Sequence, residues 1–365
     1  MSIKILHVID HLGIGGAQTV IKNLVENTDD KKFKIFICAL RTNPSSVLIK
    51  NQTINLRYGK YNPCSIFAIM KLCREYDIDI LHAHLQKSII NCLLVSYLRT
   101  IPLIVHEHGA IFRKGLFFSI YKLLLKLFHR KANVIIANSQ ATAQELMKKT
   151  GIEGNKIKVI YNGIDFSNFD SSRKSYEQIR TELGISKTDT AIGFVGRLNK
   201  VKGVDLLIKA FALLLRKSSN YLLVLAGDGR ERAKLESLAI KLGITNKVKF
   251  LGMRKDIAGL MSGFNIGVVP SRHESFGIAA VELMRMKVPI VSSGIDGLAG
   301  LIHDGETGIV TTHNNPEEIC RCIERLTKNK QLYKHIAENA YVFTKQFEIG
   351  KLAKKIEAIY EQIHG

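Results

Sequence analysis

Short apolar runs alternate with longer stretches of helical period along most of the chain. Ile3–Ile9 leads through a glycine-rich turn to a helix expected over Ala17–Glu26. Phe33–Ala39, a helix over Ser65–Glu75, the strand Ile78–His82 and a helix over Lys87–Leu98 follow. Leu103–His106 and Val134–Ala137 are further strands, separated by the helical stretch Leu116–Lys131. Continuous apolar strands alternating with helices predict a parallel sheet covered on both faces. Residues 166–187 lose this period and become polar and charged, which predicts a linker.

A second series then starts: Ala191–Val195, helix Gly203–Leu215, Tyr221–Ala226, helix Glu231–Leu242, Val248–Leu251 and Ile266–Val269. A helix over Gly277–Met286 and the strand Val288–Ser292 continue it. The expected architecture is α/β, with two doubly wound Rossmann-like domains facing across a cleft and ligands at the carboxyl ends of the strands. The expected boundaries are 1–165 for the first domain and 188–346 for the second. The helical tail 347–365 is expected to pack back on the first domain.

Length agrees with two domains, since 365 residues exceed the usual size of one. The net charge of +21 is heavier per residue in the first half, and suggests a polyanionic partner such as anionic lipid, nucleic acid or a phosphorylated substrate. The absence of Trp excludes a sugar platform built on indole stacking. Six cysteines without a CxxC pair, mostly in apolar runs, read as buried thiols in a reducing compartment. Ile3–Ile9 reads as a strand rather than a leader, and no run reaches the ~18 apolar residues needed to span a bilayer. A cytoplasmic protein, at most peripheral on the inner face of a membrane, is the expectation.

Three groups in the first half carry candidate chemistry. Gly13-Ile14-Gly15-Gly16-Ala17-Gln18 follows a strand and opens a helix, so its amides suit a phosphate. The dinucleotide fingerprint wants glycine where Gln18 stands and an acid after the next strand, where the chain reads Cys38-Ala39-Leu40-Arg41; NAD is therefore disfavoured. His82, His84, His106 and His108 sit at expected strand ends with i, i+2 spacing, so each pair shares a face. Packing, a polar contact to substrate and a zinc site are the readings open to them. Asp77-Ile78-Asp79 has the spacing of a metal–diphosphate clamp, but precedes its strand and reads as a solvated strand entry.

The second half is more specific. Gly196-Arg197-Leu198-Asn199-Lys200-Val201-Lys202-Gly203 places two cations just past a strand end, where they suit a diphosphate leaving group. Ser271-Arg272-His273-Glu274-Ser275-Phe276-Gly277 leads into a helix carrying Glu282. Amides at Phe276–Ile278 would point at phosphate oxygens. Glu274 would lie within reach of sugar hydroxyls, and Glu282 within reach of a ribose.

These residues in this order resemble family 4 of the retaining glycosyltransferases, which have the GT-B architecture. The strongest element is Glu274 and Glu282 with seven residues between them, set in Ser-Arg-His-Glu-Ser-Phe-Gly. Gly196-Arg197-Leu198 with Lys202-Gly203, Ala226-Gly227-Asp228-Gly229, Asn162-Gly163-Ile164-Asp165, His108-Gly109, Asn138-Ser139 and Gly15-Gly16-Ala17-Gln18 also fit the pattern. Lys287 and Gly300 depart from it, standing where the family usually has glycine and glutamate.

The resemblance implies that Arg197 and Lys202 bind the donor diphosphate, Glu274 holds the transferred sugar and Glu282 the ribose. It places amides of Phe276 and Gly277 near the phosphates, Gly16 against the diphosphate on closure, and His108 beside the sugar. Gly196 and Arg254 complete the donor-binding set. No divalent metal and no cofactor are required, because the cations replace them.

The implied reaction moves a hexose or N-acetylhexosamine from a nucleoside diphosphate sugar, with UDP as the nucleotide, to a hydroxyl with retention. The acceptor is a glycan or a polyprenyl-linked glycan in bacterial surface polysaccharide synthesis, with a soluble small-molecule acceptor as the alternative. The competing enzyme readings are an inverting transferase and a GT-B phosphorylase; a phosphorylase would need a pyridoxal-phosphate lysine, and no such motif stands out. A nucleic-acid module would need aromatics among its basic residues, whereas these aromatics lie in apolar runs.

Leu116–Lys131 is strongly apolar with a polar stripe of Ser119, Lys122, Lys126 and His129, flanked by Arg113, Lys114, Arg130 and Lys131. It suits either a helix buried on the sheet or one lying in an anionic membrane interface.

Overall fold

The computed structural model describes residues 2–13, 15–42, 49, 52–58, 62–109, 111, 115–171, 176–312 and 314–365. They form two compact units. The first comprises Met1–Asp165 with Phe347–Gly365, and the second Phe166–Gln346.

In the first unit seven parallel strands run β1 Ile3–His11, β2 Phe33–Arg41, β3 Gln52–Asn55, β4 Ile80–His84, β5 Leu103–Glu107, β6 Val134–Ala137 and β7 Ile157–Val159. Their spatial order is β3-β2-β1-β4-β5-β6-β7, so the winding direction reverses between β1 and β4. Ile5, Leu6, Val8 and Ile9 bury both faces of β1, as a covered parallel strand requires. Helices Cys64–Glu75, Gln86–Leu98, Leu116–Phe128 and Gln140–Thr150 pack a core around Leu6, Leu81, Ile89, Tyr121, Leu125 and Ile135.

The chain returns to this unit at its end. Ile349–His364 forms a helix whose Ile349, Leu352, Ala353, Ile356, Ile359 and Tyr360 are buried. Ile164 donates its N–H to Phe347 O at 2.8 Å, which fixes the re-entry.

The second unit has six parallel strands: β8 Thr190–Val195, β9 Tyr221–Ala226, β10 Val248–Gly252, β11 Ile266–Val269, β12 Ile290–Ser292 and β13 Ile309–Val310. Their order is β10-β9-β8-β11-β12-β13, with the reversal between β8 and β11. Gly193 in β8 is a packing glycine, since a Cβ there would stand 2.0 Å from the Phe264 ring.

The segment 166–187, expected as a linker, is part of this second unit. It holds helices Ser167–Ser171 and Tyr176–Glu182 and buries Ile179, Leu183 and Ile185. Its polar residues misled the pattern because one is structural. Buried Arg180 donates to Asn265 Oδ1 at 2.9 Å and to the carbonyls of Ser186 and Asp189 at 2.6 Å. Residues 172–175 lie outside those described. No helix among the described residues is long and apolar enough to cross a membrane.

The tail helix should carry much of the first unit's stability. Ile356 is fully buried, so Ile356→Ala should cost about 2–5 kcal/mol in chemical denaturation. A loss below ~1 kcal/mol would show that the tail docks only loosely.

Candidate functional site

In a doubly wound sheet the loops leaving the two strands at the reversal run in opposite directions and leave a crevice at the carboxyl edge. In the second unit those strands are β8 and β11, and they carry the two most specific sequence segments. After β8, Asn199 Oδ1 accepts from the Lys202 N–H at 3.1 Å and closes a short helical turn over Lys200–Lys202. Gly203 ends the turn at φ +66°, where a Cβ would lie 2.0 Å from Pro270 O. Only glycine lets the β8 loop lie this close to the β11 loop.

The two loops are also tied by charge. Arg272 Nη1 and Nη2 donate to the two carboxylate oxygens of Asp205 at 2.7 and 2.8 Å, and Nη1 reaches Lys200 O at 2.8 Å. The Arg272 N–H donates to Val201 O at 2.7 Å. Lys202 Nζ and Glu274 Oε2 form an ion pair between the loops. His273 pairs with Asp296, whose other contact is the Glu274 N–H at 3.3 Å. Arg197, by contrast, is exposed and makes no side-chain hydrogen bond or ion pair among the described residues.

Helix Ile278–Arg285 starts at the same edge, with Gly277 at φ +106° as its N-cap. The first backbone bonds to Gly277 O come from Ala280 and Val281, so the Ile278 and Ala279 amides stay available to an anion. Phe276 is buried. Glu282 is partly buried, its carboxylate has no hydrogen-bond partner among the described residues, and desolvation pushes its pKa up to about 7.

The structure therefore brings Lys202, Glu274, Gly277 and Glu282 onto one edge of the second sheet, with Gly196 and Arg197 on the β8 loop. Gly196 is held by its N–H to Ala226 O at 3.0 Å. Arg254 is placed elsewhere. It follows edge strand β10, and its guanidinium is committed to Asp256 at 2.6 and 2.7 Å and to Glu182 at 2.7 Å. Asp205, Asp296 and Asn199 were not singled out from the sequence. Each acts by holding a loop residue, and nothing in spacing alone reveals such a partner.

His108 and Gly16 belong to the first unit. Gly16 opens helix Gly16–Glu26 after β1. His108 follows β5 and ends a file of five histidines. β1 pairs with β4 so that His7 is in register with His82, and β4 with β5 so that His84 is in register with His106. His7 Nδ1 and His84 Nε2 share a hydrogen bond of 2.9 Å, and His84 Nδ1 and His108 Nε2 one of 3.2 Å. Tyr360 Oη sits 2.7 Å from His82 Nδ1 and 3.1 Å from His7 Nε2. His7 was missed because a lone histidine in a first strand gives no signal until the register is known.

The ring nitrogens of His7, His82 and His84, and of His84, His106 and His108, lie within 4.8 Å of one another. Most are engaged with each other or with Tyr360. Burial holds all five imidazoles in the neutral form, pushing His7 down to about 3 and His108 to about 4, with His82, His84 and His106 well below the ordinary value. Asp77 and Asp79 stand at the opposite edge of the sheet. The Lys4 N–H donates to Asp79 Oδ2 at 2.8 Å, and Lys4 Nζ lies 3.4 Å from Asp77.

A sequence model of "Glycosyltransferase Family 4" matches residues 14–168, and one of "Glycosyl transferases group 1" matches residues 175–343. An uncharacterized glycosyltransferase of Methanocaldococcus jannaschii is 33% identical over 233 residues, 62% of this chain and 59% of that protein. The D-inositol 3-phosphate glycosyltransferase of Corynebacterium jeikeium is 26% identical over 96% of this chain and 92% of its own. The fold matches Anabaena HepE, solved with UDP and glucose, at a TM-score of 0.86 and 24% identity, covering 98% of this chain and 99% of that one.

The histidine file sets a pH dependence. In the unfolded chain these imidazoles take up protons near 6.5, while the folded unit resists until about 3–4. Acid therefore favours the unfolded state, so stability should hold above ~6.5 and fall below it by ~1.4 kcal/mol per pH unit for each histidine. Urea midpoints between pH 8 and 4.5 test this, and a flat profile would contradict a neutral, buried cluster.

Proposed function

The chain belongs to the family 4 glycosyltransferases, and from that premise we propose that it moves a hexose or N-acetylhexosamine from UDP to an acceptor hydroxyl with retention of configuration. The observation that carries this reading is the Lys202–Glu274 pair at the β8/β11 reversal, beside open amides of Ile278 and Ala279. Such an edge suits a nucleoside diphosphate, and HepE is a related fold solved with UDP and glucose.

The difficulty in the reaction is charge developing on the departing diphosphate. Arg197, Lys202 and the amides at the helix start would meet it, each preorganised donor being worth roughly 2.7–4 kcal/mol by analogy with oxyanion holes. Donor binding would exchange partners: Lys202 turns to phosphate oxygens and Glu274 to the sugar hydroxyls. The unpartnered Glu282 carboxylate would accept from the ribose. Attack from the face the diphosphate leaves, with a phosphate oxygen taking the acceptor proton, requires no protein nucleophile and no metal.

For the acceptor we favour a lipid-linked glycan at an anionic membrane surface. Helix Leu116–Phe128 packs Tyr121 and Leu125 inward, yet exposes Leu116 at 80%, Ile120 at 45%, Leu123 at 54% and Leu127 at 61%. These four lie at i, i+4, i+7 and i+11, so they form one apolar stripe on the solvent side. Lys126, Arg130 and Lys131 border it and are exposed; Arg113 and Lys114 lie outside the described residues. Such a stripe with a basic margin fits an interfacial helix. A soluble acceptor is the second reading, favoured by the likeness to a D-inositol 3-phosphate glycosyltransferase.

Glu274→Ala should abolish turnover and leave UDP affinity within about threefold, because Glu274 is assigned to the sugar. Arg197→Ala should instead weaken UDP by about tenfold or more, as the loss of one charge-assisted bond of ~1.5–3 kcal/mol dictates. Chelator should leave wild-type activity intact. Donor hydrolysis and calorimetry with UDP check all three, and activity lost to chelator and restored by manganese would overturn the metal-free scheme.

Vesicles provide the second test. The protein should sediment with phosphatidylglycerol vesicles at low salt and release at high salt, and Leu123→Glu with Leu127→Glu should abolish sedimentation. Binding that ignores lipid charge, or none, would favour the soluble acceptor.

A further inference from the structure

At the carboxyl edge of the first unit's sheet, two cations outside the donor set stand at one corner. β1 and β2 end side by side with His11 in register with Arg41. One residue earlier, Asp10 reaches across to helix Gln86–Leu98, where the Ser88 N–H and hydroxyl donate to its Oδ1 at 2.8 and 2.7 Å. That contact brings Lys87, the residue before Ser88, to the same corner. Burial pushes the Lys87 ammonium down, the Asp10 charge opposes this, and the Arg41 charge adds to it.

Arg41 is the anomaly. Its Nε is buried without a hydrogen-bond partner, and its guanidinium makes no hydrogen bond or ion pair among the described residues. A buried donor left unmade carries a full desolvation penalty. The planar fork of a guanidinium matches phosphate oxygens two at a time. Helices Gly16–Glu26 and Gln86–Leu98 both start at this edge with no acid in the first turn, so their dipoles add positive potential. Asp10 Oδ1 is already engaged by Ser88.

We propose that Arg41 and Lys87 form a subsite for a phosphate ester carried by the acceptor. The inference rests on the transferase reading, which assigns the donor diphosphate to Arg197, Lys202 and the amides of the second unit and leaves the buried, unpartnered Arg41 Nε outside that set. Phosphate here fixes the acceptor as a phosphorylated molecule, either a lipid phosphate or a soluble phosphoester.

The test holds the protein in saturating UDP, which fills the donor site, and titrates inorganic phosphate by calorimetry. Wild type should bind phosphate, and Arg41→Gln and Lys87→Gln should each weaken it about tenfold or more, with UDP affinity unchanged. Arg41→Lys should recover part of the loss, since it restores charge without the fork. A parallel arm uses vesicles containing phosphatidic acid. Sedimentation lost in both glutamine variants assigns the phosphate to a lipid, and sedimentation retained while phosphate binding falls assigns it to a soluble acceptor.

Phosphate affinity that neither substitution moves, with UDP still bound, overturns the inference alone. UDP affinity falling in step with phosphate overturns it by returning the corner to the donor. Wild-type protein that binds no UDP overturns the transferase reading and the inference together.

Discussion

A parallel sheet can expose reactive loops only where its winding reverses, because elsewhere the helices crossing over each strand cover its carboxyl end. Here the reversals fall between β1 and β4 and between β8 and β11. Gly196, Arg197, Lys202, Glu274 and His108 sit on loops leaving one of those strands or their neighbours. The second unit draws its two loops together through Gly203 against Pro270 and through Arg272 on Asp205. The first unit instead fills its reversal with imidazoles, stacked across β1, β4 and β5 and closed by a phenol from the chain's last helix. One reversal carries an ion pair between its loops, and the other carries a file of neutral imidazoles.

The strand–helix alternation made the architecture legible, because buried parallel strands are apolar runs bounded by turns. Short elements were lost: β3, β7 and β13 have two to four residues, too few for any period. Helices Pro316–Lys328 and Lys330–Thr344 lie beyond the last strand that the pattern predicts. Helix Tyr176–Glu182 was misread because Arg180, a buried charge with several carbonyl acceptors, looks in sequence like any solvated residue.

At the site, the residue types near Glu274 pointed to a diphosphate, and the fold places them on one edge. The commitment of Arg254 to Asp256 and Glu182 was not legible. An arginine on one loop and an acid from a distant helix meet only through tertiary structure. The same holds for the helix Leu116–Phe128. Its composition predicted either burial or a membrane surface, and the structure shows that it has an apolar stripe for each.

The ion pair between Lys202 and Glu274 has a consequence for the end of the catalytic cycle. In the empty protein each group serves as the other's counter-ion, so the pair itself carries no net charge. Under the proposed roles, only a molecule offering both an anion and neutral hydroxyls satisfies both partners when they separate. A spent nucleotide keeps the anion and the ribose but has lost the transferred sugar, so the Glu274 carboxylate is left without the hydroxyls assigned to it. Under those roles, re-forming the pair would compete with retention of the product, and the protein would contain its own displacing group.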